Sequence, residues 1–145
     1  MSYYGLKSGV GLALAARREE ETPARGMRVG VIGLGTANLA TYSESSDSFR
    51  FYELNPDVAR IASEYFTYLE EAQGEIEVVL GDGRLSLELE LETDEARPFD
   101  LLAVDAFSGD AIPVHLLTRE AFELYFQHLH PDALWRSMSA ICIST

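Results

Sequence analysis

Four carboxylates stand where the sequence breaks off an apolar run: Glu53, Asp82, Asp105 and Asp110. Glu53 closes the run Phe49-Arg50-Phe51-Tyr52-Glu53, about twenty residues beyond the turn Gly33-Leu34-Gly35. Glycines directly after a strand let the chain turn tightly and let backbone approach a ligand with no Cβ in the way. An acidic side chain ending the next strand then accepts hydrogen bonds from both hydroxyls of a ribose. Taken singly, these residues make a tight turn and a strand-end glutamate; their combined context favours a ligand site. Asp82 lies between Gly81 and Gly83, placed to accept from an adenine amino group, with a plain Asp-Gly turn as the alternative. Asp105 and Asp110 share the loop Asp105-Ala106-Phe107-Ser108-Gly109-Asp110-Ala111-Ile112-Pro113. Carboxylates there take a proton from an ammonium group or hold it by charge-assisted hydrogen bonds. In the plainer reading Asp105 caps the loop and Asp110 is merely exposed.

The glycine pattern narrows the ligand. A dinucleotide fingerprint carries a third glycine, but here Thr36, Ala37 and Asn38 follow Gly35. Pyrophosphate binding at a helix N-terminus needs that close approach. A nucleoside without phosphates therefore fits better than NAD.

These residues must be positioned by a sheet. Arg28 to Ile32, Phe49 to Glu53, Glu75 to Leu80 and Phe99 to Val104 read as buried strands, with a fifth over Ser139 to Ser144. Nearly continuous apolar strands suit a parallel sheet covered on both faces. Asn55 caps a helix expected from Pro56 to Leu69, with Val58, Ile61, Ala62, Tyr65 and Phe66 facing the sheet. Leu85, Leu87, Leu89 and Leu91 alternate as in a strand, yet a parallel crossover demands a helix near Arg84 to Glu90. Thr118 caps a further helix to about Leu129, with His128 and His130 at its end in a structural role, where imidazolium would suit the helix dipole. A lead-in helix spans Gly9 to Glu21. The alternation of strand and helix specifies a right-handed α/β sheet, one domain over residues 1–145 with a lead-in at 1–26 and a core at 27–145.

Composition limits the partners. With 11 Lys+Arg against 24 Asp+Glu, the net charge of −13 repels nucleic acid and anionic lipid and favours small cations. Cys142 is the single cysteine, so no internal disulfide or CxxC metal site forms, and its apolar surroundings predict an inert buried thiol. The apolar stretch Gly9 to Ala16 is too short to span a bilayer and lacks a basic leader before it. A reducing, cytoplasmic location is expected.

Four segments in order carry a resemblance: Val29 to Thr36, Phe51 to Pro56, Leu80 to Arg84 and Val104 to Pro113. Together they resemble the polyamine aminopropyltransferases, and more closely the bacterial spermidine synthase-like proteins often fused to a membrane segment. Tyr3-Tyr4-Gly5 through Val10-Gly11 resembles the lead-in to that domain. The resemblance implies a Rossmann-like sheet of the S-adenosylmethionine-dependent methyltransferase type, here C-terminally incomplete. It implies that Gly33, Gly35 and Glu53 hold decarboxylated S-adenosylmethionine, that Asp82 and Asp105 line the adenine and amine side, and that Asp110 is the base. The acceptor would be a small cationic amine such as putrescine, with no metal involved, and the protein a homo-oligomer. Where the family's synthases carry an acidic residue in the Gly-rich loop, this chain has Thr36-Ala37-Asn38. Two alternatives follow: an S-adenosylmethionine-dependent methyltransferase on the same site, or a non-catalytic nucleoside-binding domain.

Overall fold

The computed structural model describes residues 9–19, 25–106, 112–131 and 141–143. Five parallel strands form one sheet: β1 (Arg28–Ile32), β2 (Ser48–Glu53), β3 (Glu75–Leu80), β4 (Leu101–Val104) and β5 (Ile141–Ile143). Their order is β3-β2-β1-β4-β5. Chain order thus runs outward from β1 to β3 and then returns to the other side of β1 for β4. Such a reversal opens a crevice beyond the carboxyl ends of the two central strands.

Side chains alternate across the sheet because a strand has a period of two. Val29, Val31, Phe49, Phe51, Leu101 and Ala103 build one core. It is covered by α1 (Gly9–Glu19) and by the segment carrying α2 (Pro56–Tyr65) and α3 (Tyr68–Glu71). Ile32, Tyr52, Leu102 and Val104 face the other way, under α4 (Gly83–Glu92) and α5 (Arg119–Gln127).

Two expectations for α2 change, while the helix expected near Arg84 to Glu90 forms as α4. The helix after Asn55 stops at Tyr65, and α3 is a separate turn begun after Thr67. Ile61 and Tyr65 do not face the sheet: they are 41% and 73% exposed, and Ala62 alone of α2 is fully buried. The helix lies over the sheet on its Ala59 and Ala62 side; Ala62 belongs to the expected stripe and Ala59 does not. In α4 the alternation of leucines proves accidental. Leu87 is buried and Leu91 half-buried, whereas Leu85 and Leu89 point to solvent.

His128 is structural, as expected, but not an imidazolium. Its Nε2 lies 2.9 Å from the Leu87 carbonyl oxygen, which makes that nitrogen the N–H donor. Burial pushes its pKa down, so the ring stays neutral between Phe99 and α4. Burial likewise pushes the half-buried Cys142 thiol up, which keeps it protonated and inert. Residues 20–24 and 139–140, at the expected ends of α1 and β5, lie outside the described residues. Among the described residues no helix is long and apolar enough to cross a membrane.

Candidate functional site

β1 ends in a turn that only glycine permits. Gly33 has φ +102°, and its N–H donates to the Tyr52 carbonyl at 2.8 Å. A Cβ at Gly33 would lie 2.6 Å from the Asp105 carbonyl oxygen, so the turn rests directly on the backbone leaving β4. Gly35, with φ +53°, has nothing within 4 Å of its Cβ position and borders open space. Ala37 also adopts a left-handed φ of 63°, an uncommon state for a residue with a Cβ. The chain then enters a short 3-10 helix, Asn38–Tyr42, rather than the long α-helix that presents amides to a pyrophosphate.

Glu53 is tied to both neighbouring turns. Its Oε2 accepts from Leu34 N at 3.0 Å and its Oε1 from Asn55 N at 2.8 Å. Each carboxylate oxygen accepts more than one hydrogen bond, so both retain capacity for a ligand hydroxyl. Behind the turn, the Tyr52 hydroxyl donates to Glu90, whose Oε1 lies 3.2 Å from the Arg50 guanidinium. Burial raises the Glu90 pKa, and Arg50 pulls the other way. This buried trio fixes the strand whose carbonyl holds Gly33.

Asp82 is the N-cap of α4: its Oδ1 accepts from Leu85 N at 3.0 Å. Its Oδ2 lies 3.0 Å from His115 Nε2. Asp105 continues β4, its N–H donating to the Ile32 carbonyl at 2.8 Å. Asp110 lies outside the described residues. His115 was not singled out from the sequence; a polar ring two residues past Pro113, after a strand-end loop, was the available signal.

Gly33, Gly35, Glu53, Asp82 and Asp105 come together around one cavity of about 670 Å³. That size suits a small-molecule ligand. Leu34, Leu39, Leu54 and Val58 supply apolar wall, and Glu53, Asp82 and Asp105 supply negative charge. No Lys or Arg is among the described residues that line it. The arrangement can grip hydroxyl and amino donors and favours a cation.

Sheet order and cavity together define a Rossmann-like domain of the S-adenosylmethionine-dependent methyltransferase type. Its fold matches human methyltransferase-like protein 13, solved in complex with SAH, at a TM-score of 0.65 and 21% identity over 84% of this chain and 58% of that one. A probable spermidine synthase from Corynebacterium glutamicum ATCC 13032 matches at 0.63 and 22% identity, over 83% of this chain and 42% of that one. No protein-family model matches the sequence. The polyamine aminopropyltransferase of Vibrio vulnificus (strain CMCP6) is 32% identical over 98 residues, 64% of this chain. In sequence the chain is similar to that aminopropyltransferase, and in fold to the methyltransferase-like and spermidine synthase structures. It spans 31% of the length of that Vibrio relative.

Proposed function

We propose that the cavity binds decarboxylated S-adenosylmethionine and that the domain transfers its aminopropyl group to a small amine such as putrescine. The observation that carries this reading is the charge of the cavity. Three carboxylates line it, with no cation among the described lining residues. A sulfonium and an ammonium are attracted there, whereas an α-carboxylate would meet no counter-charge among the described lining residues. Glu53 takes the ribose hydroxyls, Asp82 the adenine amino group, and Asp105 the amine side. Asp110 accepts the proton of the attacking ammonium. The amine nitrogen then forms a bond to the methylene carbon as the carbon–sulfur bond breaks, releasing methylthioadenosine.

The second reading, methyl transfer from S-adenosylmethionine, is favoured by the fold match to a methyltransferase-like protein. Calorimetry separates the two. The decarboxylated form and methylthioadenosine should bind more tightly than S-adenosylmethionine. The opposite order would replace aminopropyl transfer with methyl transfer.

A further inference from the structure

Each oxygen of Asp82 has a contact. Oδ1 is committed to the first turn of α4 through Leu85 N. Oδ2 faces His115 Nε2 at 3.0 Å, so the ring stands where a ligand donor would approach that oxygen from the cavity. Both side chains line the cavity, and neither is sealed away: His115 is 50% exposed and Asp82 21%.

The backbone that carries His115 is held independently of this contact. Arg84 Nη1 donates to the His115 carbonyl at 3.0 Å. The next residue, Leu116, is buried, and its carbonyl accepts from the Tyr125 hydroxyl at 2.9 Å. The imidazole is therefore free to change rotamer while the turn stays in place. Rotamer changes of half-exposed side chains are fast and need no opening of the core.

We propose that His115 is a latch on the nucleoside wall, occupying Asp82 Oδ2 until the amino group of a bound base takes its place. This rests on the reading of the cavity as a nucleoside site. Exchange of one N–H donor for another leaves the hydrogen bonding of Asp82 unchanged. A base without an amino group also displaces the ring but returns no hydrogen bond to Oδ2. The latch thus makes His115 an affinity-setting residue: it imposes the same entry cost on every base, and an amino-bearing base recovers the hydrogen bond at Asp82.

The test compares adenosine with purine riboside, which lacks the amino group, on the wild-type chain and His115→Ala by calorimetry. Wild type should prefer adenosine. His115→Ala should bind both ligands more tightly, by roughly two- to fivefold, the scale of one half-exposed side-chain hydrogen bond. Adenosine added to the wild type should also shift the His115 ring signals in NMR. Adenosine affinity unchanged or weakened in His115→Ala would overturn the latch. Glu53→Gln reports separately on the parent reading. If it loses the adenosine binding that the wild type shows while His115→Ala fails to tighten, the latch alone falls. If the wild type and His115→Ala both ignore millimolar adenosine, the nucleoside reading falls and takes the latch with it.

Discussion

At the amino ends of the strands, Asp47 and Asp100 are enclosed by donors. Asp47 accepts from Met27 N, Glu44 N and Arg18 Nη2 at 2.9, 2.9 and 2.6 Å. Asp100 takes a two-pronged Arg25 guanidinium at 2.9 and 3.0 Å and the N–H of Arg28 at 2.8 Å. At the carboxyl ends, Glu53 and Asp82 also hold backbone amides, but no arginine reaches them in the described residues, and both open onto the cavity. Acidic residues of one type, at the two ends of one sheet, are saturated at one end and partly available at the other. What sets Glu53 and Asp82 apart from Asp47 and Asp100 is acceptor capacity facing the cavity, not residue type.

Substitutions at the two ends should then fail in different ways. The largest effect is expected at the open end. Asp110→Asn should slow formation of methylthioadenosine in the presence of putrescine by about 10²–10⁴-fold with stability intact. A normal rate would remove Asp110 as the base. Next, at the saturated end, Asp47→Ala should cost about 2–4 kcal/mol in urea unfolding, since two backbone amides and Arg18 lose their acceptor. Burial pushes the Asp47 pKa up, but the Glu44 amide, Arg18 and the Met27 amide together hold it below the usual carboxylate value. Its contribution is therefore present above the unfolded pKa of about 3.9 and disappears as pH falls through the lower folded value. The wild type should lose stability more steeply than Asp47→Ala below about pH 4; parallel acid curves would show that Asp47 is not a major acid-sensitive contact. The smallest effect is Glu53→Gln, expected to weaken adenosine binding by about 1–3 kcal/mol, with a lesser loss of stability through the Leu34 and Asn55 amides. Undiminished affinity would return Glu53 to the structural class.

β1, β3 and β4 were legible because each is a short run rich in apolar residues followed by Gly or Asp. The position of Glu53 relative to Gly33 was legible too. Its two bonds to backbone amides were not, because they depend on how two turns approach each other in space. Side-chain direction on the helices was also poorly encoded. The leucines of α4 satisfy a strand period, and α2 carries apolar residues around too much of its circumference to reveal that Ala62 is the buried one. His115 escaped notice because its position two residues past Pro113 names no contact by itself, and its partner Asp82 is 33 residues away.

The contact of Gly33 with the backbone at Asp105 also sets when the cavity can exist during folding. β1 and β2 are joined across about 20 residues, as in the Met27–Asp47 pair, whereas β1 and β4 are joined across 72, as in Arg28–Asp100. Loop-closure entropy makes the second pairing costlier by about 1 kcal/mol before any contact is gained. Pairings of long sequence separation also slow folding. A chain emerging from the ribosome can zip β1 to β2 and β3 early, but it has no cavity floor until β4 arrives. Ligand binding would therefore report that the central pairing is complete, and ligand present during synthesis would act on the last stage of assembly rather than the first.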